Sequence, residues 1–334
     1  MYEYLDKIVR FQDLSEAEMM DLTKNLFSGQ YSEGQITAFL MGLKMKGETV
    51  DEVTGFARVM ASCANNVPTS VTDAMDNCGT GGDKSGTFNI STTAAFVLAG
   101  GGINVAKHGS RSVSSKSGSA DVLEELGINL SLSPEKLGKV LEDIGIVFLF
   151  AEALHPKLEE VLPACIELGM PTVVNLAGTL INPVKIDTQL LGTSRSDFIE
   201  QSAKILRNLG RRRALVITGE NNMDEASLFG INRYALLENG EVSLGEFTAS
   251  DVGMEEVTLQ DIQAGDVKEN AKIILDVLEG NPSPYLETTI LNAGLGFFAN
   301  GKVDSIKEGC ELAREVIMSG KALKKLRLLQ EKQV

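Results

Sequence analysis

Two segments hold the residue types best suited to chemistry. Residues 78–92 read Cys-Gly-Thr-Gly-Gly-Asp-Lys-Ser-Gly-Thr-Phe-Asn-Ile-Ser-Thr, which parses as a strand end, a glycine loop over 79–87 and a helix opening near Asn89 to Thr92. Glycines let backbone amides approach an anion, and the orphan amides and positive dipole end of the helix add attraction, so the order predicts a phosphate site. Two commoner nucleotide loops do not fit. A Walker loop needs Lys-Ser/Thr after its last glycine, where Gly86 is followed by Thr87-Phe88. A dinucleotide fingerprint needs glycine where Lys84 stands and an acidic residue about 20 positions later, where the chain has Ile103 to Lys107. Taken alone, the loop could also be a tight turn.

The second segment, residues 107–121, gathers Lys107, Arg111 and Lys116 with several serines around two glycines. It follows a predicted strand, where an α/β sheet places ligands. By itself it reads equally as a solvated loop. Its charge gains meaning from the rest of the chain. A net charge of −15 over 334 residues disfavours nucleic acid and anionic lipid, so an anionic substrate needs cations gathered locally.

The elements that must position these loops follow from periodicity. The first 66 residues have helical spacing, with a capping-box pattern at Ser32 to Gln35 and an apolar stripe through Val53, Phe56, Val59, Met60 and Cys63. A break over residues 66–72 precedes alternating strands and helices, an α/β pattern. Strands are predicted at 74–78, 103–106, 147–150, 172–175 and 214–218. Helices are predicted at 91–100, 120–126, 134–143, 157–168 and 196–208. Asn239-Gly240 predicts a hairpin over 233–247, and helices return from about 268. Leu323, Leu326, Leu328 and Leu329 predict the buried side of a terminal amphipathic helix whose basic face is solvated. The scattered cysteines, Cys63, Cys78, Cys165 and Cys310, lack zinc or disulfide spacing and are expected as reduced core thiols. The start of the chain lacks a secretory signal pattern and no apolar run has transmembrane length, so a cytoplasmic protein is expected.

Gly79-Thr-Gly-Gly-Asp83, Asn89-Ile-Ser-Thr92, and Lys107-His-Gly-x-Arg111 through Ser119 together resemble the signature of anthranilate phosphoribosyltransferases. The likeness extends over nearly the whole chain, including Asn175 to Pro183 and Asp224-Glu225. It implies a small helical domain over 1–66, joined by a helical part of the middle region at about 155–185. A larger α/β domain over 73–334 would have a central sheet, in the nucleoside phosphorylase/phosphoribosyltransferase manner. It further implies an active site between the domains and a homodimer through the helical domain. The activity implied is transfer of a phosphoribosyl group from 5-phosphoribosyl-1-pyrophosphate to anthranilate, in tryptophan biosynthesis.

By the same resemblance, Gly79, Gly82, Asp83, Thr87, Asn89, Ile90, Ser91 and Thr92 hold the donor. Lys107, His108, Gly109, Ser110, Arg111, Ser112, Val113, Ser114, Ser115 and Ser119 close over it, and Ser91, Asp224 and Glu225 hold Mg2+. Hard magnesium suits carboxylate, hydroxyl and phosphate oxygens, although Asp224-Glu225 alone would read as a capped surface turn. Lys107 and Arg111 would stabilise charge on the leaving pyrophosphate. Neither His108 nor His155 has a sequence partner that marks it as a base.

The chain departs from the family on the acceptor side. Ser110 stands where asparagine is usual, Cys165 where an arginine contacts anthranilate, and Thr179 where proline is usual. Cysteine cannot replace a charge-assisted partner for a carboxylate. Another aromatic acceptor is therefore the alternative within the class. Nucleoside phosphorolysis and a noncatalytic nucleic-acid binder are the alternatives outside it, separated by dependence on magnesium and by binding of the sugar donor.

Overall fold

The structure, a computed structural model, describes residues 1–111 and 117–333. It opens with four helices: α1 (Tyr2–Val9), α2 (Glu16–Phe27), α3 (Glu33–Lys46) and α4 (Val50–Ser62). Reciprocal capping boxes start α2 at Ser15/Glu18, α3 at Ser32/Gln35 and α4 at Thr49/Glu52, and caps of this kind are worth about 1 kcal/mol each. Glu52 also joins the helices. Fully buried, it accepts from Leu14 N (2.9 Å), Thr49 N (2.9 Å) and Lys46 Nζ (2.9 Å). A buried carboxylate persists where donors surround it. The predicted stripe of α4 is buried through Met60, with Cys63 half-buried at the helix end.

The remainder contains a seven-stranded sheet: β1 (Met75–Gly79), β2 (Val105–Gly109), β3 (Ile146–Phe150), β4 (Thr188–Gly192), β5 (Arg213–Thr218), β6 (Asn232–Glu238) and β7 (Glu241–Phe247). The spatial order is β3-β2-β1-β4-β5-β6-β7. The first five strands run parallel, and β6 and β7 are antiparallel. Asn239 and Gly240, both at positive φ, make the predicted hairpin. The chain leaves β1 toward β2 on one side and returns as β4 on the other. This makes the β1/β4 pair the switch point, where open α/β sheets bind ligands beyond their carboxyl ends.

Between the strands lie α5 (Ile90–Gly100), α6 (Ser119–Glu125), α7 (Pro134–Ile144), α8 (Ala151–Leu154), α9 (Leu162–Leu168), α10 (Val173–Gly178) and α11 (Ile199–Asn208). The helices α12 (Val267–Leu278), α13 (Pro284–Asn300), α14 (Ile306–Met318) and α15 (Lys321–Lys332) follow. Alternate residues of β5 divide between two cores: Leu215 and Ile217 pack with α5 and α13, Ala214 and Val216 with α11 and the N-terminal helices. In addition α9 packs on α3, and α10 on α3 and α4. On α15, Leu326 and Leu329 are buried and Leu323 and Leu328 partly so.

The expected strand at 172–175 is instead the start of α10. Thr172 caps it reciprocally with Asn175, and packing on α3 and α4 overrides the β-branched pair Val173-Val174. Strand β4 is not among the predicted strands, because Thr188 and Gln189, both fully buried, interrupt its apolar run. All four cysteines are free, but Cys63 and Cys165 are half-buried rather than core residues.

Candidate active site at the carboxyl ends of β1, β2, β4 and β5

The glycine loop leaves β1 at Gly79, whose register partner is Gly192 at the end of β4. Gly81, Gly82, Lys84 and Gly86 all have positive φ, and the alternation at Gly82, Lys84 and Gly86 is the backbone pattern of an anion-binding nest. One arm is tied down by Thr80 N to Gly192 O (3.0 Å) and Gly81 N to Asp224 Oδ2 (2.6 Å). Across the loop, Ser85 N donates to Asp83 Oδ1 (3.1 Å), and the hydroxyls of Ser85 and Thr87 lie 3.3 Å apart. Asn89 occupies the cap position of α5 without capping through its side chain. Ile90 is buried in the core, so only its backbone can serve the site. Thr92 is also buried, and its Oγ1 has no partner among the described residues.

Asp224 and Glu225 follow β5 and sit directly against the glycines. A Cβ on Gly79 would lie 2.3 Å from Asp224 Oδ2, one on Gly192 1.6 Å from Asp224 O, and one on Gly219 2.3 Å from Glu225 O. These approaches explain why the strand ends carry glycine. Glu225 Oε1 accepts from Ser91 N at 3.0 Å, joining the acidic turn to the first turn of α5. Burial raises the Asp224 carboxyl, and the neighbouring charge of Asp83 raises it further; burial, Asp224 and Asp83 raise Glu225 in the same way.

Crowded carboxylates that resist ionisation fit a site completed by a cation. Among the described residues no three His, Cys, Asp or Glu side chains form a metal cage. The donor set, Asp224, Glu225 and the Ser91 hydroxyl, instead suits Mg2+, which binds through one or two carboxylates plus substrate phosphates and water.

Lys107, on β2 and buried, donates to Asn77 O (2.6 Å) and Ser91 Oγ (3.2 Å). Burial lowers its pKa, opposed by Asp76, Cys78, Glu225 and Asp224. Asp76 in turn accepts from His108 N (3.2 Å) and Asn182 Nδ2 (2.9 Å), and Asn77 Nδ2 donates to Ser91 O (2.7 Å). Asp76 and Asn77 were not among the predicted site residues. Their signal was a polar pair inside a predicted buried strand, since such groups persist there only with partners.

The structure brings the glycine loop, the start of α5, Lys107 and the acidic turn together, and Gly109, Ser110 and Ser119 meet at the end of β2. A Cβ on Gly109 would meet Ser119 Oγ at 2.4 Å, and Ser119 Oγ donates to Ser110 O (3.3 Å). Arg111 is turned to Asp121 (2.9 Å) and Glu124 (2.6 Å) and lies over the Phe150 ring. Ser112, Val113, Ser114 and Ser115 lie outside the described residues. Cys165 is on α9, its Sγ 3.9 Å from Thr172 Oγ1.

His108 and His155 are buried, with their Nε2 atoms 3.1 Å apart. One ring donates and the other accepts, so the acceptor is neutral, and burial, which disfavours charge on either ring, keeps the donor neutral at pH 7 as well. Burial pushes His108 down to about 3, helped by His155 and Lys107, and pushes His155 down to about 4. Their folded pKa values lie below the ordinary 6.5, so the unfolded chain binds more protons in this window. The stability they hold is full above pH 6.5 and is lost as the pH falls toward 4 and then 3. For His155 alone the loss is about 3 kcal/mol. Urea melts at pH 7 and pH 4.5 of the wild type and of His155→Gln test this: the variant should lose less stability between the two pH values.

A helical bundle joined to an α/β sheet, with an anion nest and an acidic turn at the switch point, places the chain in a class of glycosyl-transferring enzymes. The family described as glycosyl transferase family, helical bundle domain, matches residues 2–64, and glycosyl transferase family, a/b domain, matches residues 71–323. Within that class the chain belongs to the anthranilate phosphoribosyltransferase family. It is 59% identical over 333 residues to the anthranilate phosphoribosyltransferase of Streptococcus pneumoniae serotype 19F (strain G54), covering 100% of both chains. The crystal structure of the Thermus thermophilus anthranilate phosphoribosyltransferase superposes with a TM-score of 0.93 at 38% identity, covering 98% of each chain. The Saccharomyces cerevisiae enzyme in complex with PRPP and Mg superposes with a TM-score of 0.90 at 25% identity, covering 99% of this chain and 97% of that one.

Proposed function

We propose that this chain transfers the phosphoribosyl group of 5-phosphoribosyl-1-pyrophosphate to the amine of anthranilate, giving N-(5-phosphoribosyl)anthranilate and pyrophosphate in tryptophan biosynthesis. The observation that carries this reading is the meeting of the glycine nest, the start of α5, Lys107 and the Asp224-Glu225 turn at one switch point. Loop amides and Lys107 hold the pyrophosphate, and Ser91, Asp224 and Glu225 hold Mg2+. When bound, the metal neutralises charge on the leaving group. As the bond from the anomeric carbon to pyrophosphate breaks, positive charge grows on the ribose and negative charge on the pyrophosphate. Fixed amides and a buried ammonium are suited to the latter. An aromatic amine is uncharged at pH 7 and attacks without a strong base, which agrees with two neutral histidines.

The donor side carries the family's residues, whereas Ser110 and Cys165 leave the anthranilate carboxylate to other groups, lysine or backbone amides. The exposed apolar residues Tyr2, Val9, Met45 and Ile166 lie on the neighbouring helices α1, α3 and α9 and support a homodimer through this face. No helix among the described residues is long and apolar enough to cross a membrane, and the protein works in the cytoplasm.

The test is pyrophosphate release from the purified protein with donor and Mg2+, with and without anthranilate. Release that needs all three components is expected. Donor binding without anthranilate-dependent release would shift the reading to another aromatic acceptor, and phosphate-dependent nucleoside cleavage without Mg2+ would favour phosphorolysis.

A further inference from the structure

The far arm of the glycine loop is held by a segment outside every motif singled out in the sequence. Phe88 N donates to Ile262 O (3.1 Å), Ala264 N donates to Gly86 O (3.0 Å), and Thr87 bridges Gln263 in antiparallel fashion. The loop thus ends as one strand of a short ribbon whose other strand is residues 262–264. Gln263 adds a side-chain clamp, its Nε2 donating to Ser85 O at 2.8 Å. Its own carbonyl accepts from Tyr285 Oη (2.9 Å), and the Tyr285 ring stands edge-on to Phe88 with centroids 5.1 Å apart.

Further along, the same segment reaches the start of α5. Asn270 is buried, and its Oδ1 accepts from Asn89 N at 3.1 Å, serving an amide of the helix end that no side chain of α5 caps. Its Nδ2 donates to Asp266 O (2.9 Å), which fixes the amide orientation, since a carbonyl only accepts. The Asn89 side chain continues toward the basic loop: Nδ2 donates to Ser117 O (3.4 Å), and Ser117 Oγ donates to Asn89 Oδ1 (3.3 Å). Two carboxamides therefore set the far arm of the nest, the start of α5 and the near end of the basic loop.

We infer that Gln263 and Asn270 are positioning residues for the sugar donor, acting through Ser85 and Asn89 rather than by touching it. This rests on the donor reading above. An anion nest binds only if its amides are already aimed, and positive-φ residues at Gly82, Lys84 and Gly86 hold such a shape only when the surrounding structure fixes both ends. The near arm is tied to the sheet and the acidic turn; the far arm has the 262–264 ribbon.

The test is calorimetric titration of Mg2+ with phosphoribosyl pyrophosphate into the full chain, alongside steady-state kinetics. Gln263 is exposed, so Gln263→Ala is expected to fold, with a melting temperature lower by at most about 4 °C. The donor Kd and the donor KM should rise about ten-fold, the size of one lost hydrogen bond of roughly 1.4 kcal/mol, while the anthranilate KM stays constant. Gln263→Glu, which loses the donor atom to Ser85 O, should fail to restore affinity. Asn270→Asp, which keeps an acceptor for Asn89 N, should bind more tightly than Asn270→Ala. Wild type that does not bind the donor overturns the donor reading and this inference with it. Wild type that binds, with Gln263→Ala within two-fold of it, overturns this inference alone.

Discussion

Asp224→Asn is expected to lower kcat/KM by about 10²–10³, the size of losing one fixed electrostatic contact to a reacting group, while the metal-free protein becomes more stable. The two effects share a cause. In the fold, Asp224 is half-buried beside Asp83 and Glu225, and its carboxyl is raised above the usual carboxylate range. A carboxyl raised in this way binds its proton more tightly folded than unfolded, so its contribution falls as the pH rises from the unfolded value of about 3.9. At pH 7 the charged group therefore opposes folding. Asparagine keeps an oxygen for Gly81 N, which Asp224 Oδ2 now accepts at 2.6 Å, and removes the repulsion. Thermal melts without metal should show the variant about 2 °C or more above wild type. Added Mg2+ with phosphoribosyl pyrophosphate should raise the melting temperature of wild type far more than that of the variant. A variant that keeps the wild-type response would mean that Asp224 does not hold the metal.

Gly192→Ala should cost both stability and activity, although the site's chemistry loses no functional group. The new Cβ would lie 1.6 Å from Asp224 O and 2.6 Å from its carbonyl carbon. Both are backbone atoms that cannot swing aside, so the strand or the acidic turn must move. Overpacking of this kind costs about 1–3 kcal/mol or more, read as a lower urea midpoint. Displacing Asp224 and Glu225 by about 1 Å can lower turnover by roughly 10². Gly34→Ala is the control. It lies in α3 with nothing within 4 Å of its new Cβ, so stability should hold or rise by a few tenths of a kcal/mol and activity should be unchanged. If Gly192→Ala turns over like wild type, the acidic turn does not need its place between β1 and β4.

Together the two substitutions separate what the acidic turn does chemically from where it is held. The first changes its charge in place; the second moves it with its charge intact. They also explain a tension in the fold: three close-packed glycines bring like-charged carboxylates together, an arrangement that a bound Mg2+ would relieve. Proteins commonly give up stability at such sites in return for binding.

The chain's local patterns determined its class and picked out its glycine loop. The glycine loop before a helix, Ser32 with Gln35 at a helix start, and Asn239-Gly240 in a hairpin each depend on neighbours a few residues apart, so their physics is written in consecutive residues. Tertiary structure decided what distant residues do to one another. Thr172 to Asn175 became helix because α3 and α4 offered an apolar face, and β4 formed with buried Thr188 and Gln189 because neighbouring strands satisfied its backbone. The conversion of Asp224-Glu225 from an ordinary acidic turn into a crowded site depends on Gly79, Gly192 and Ser91, all distant from it in sequence. The same holds for Asp76 and Asn77 next to Lys107, and for Gln263 and Asn270 behind the glycine loop. A carboxamide or carboxylate has no functional signature of its own, because desolvation and nearby charge, which set what it does, exist only once the chain has folded around it.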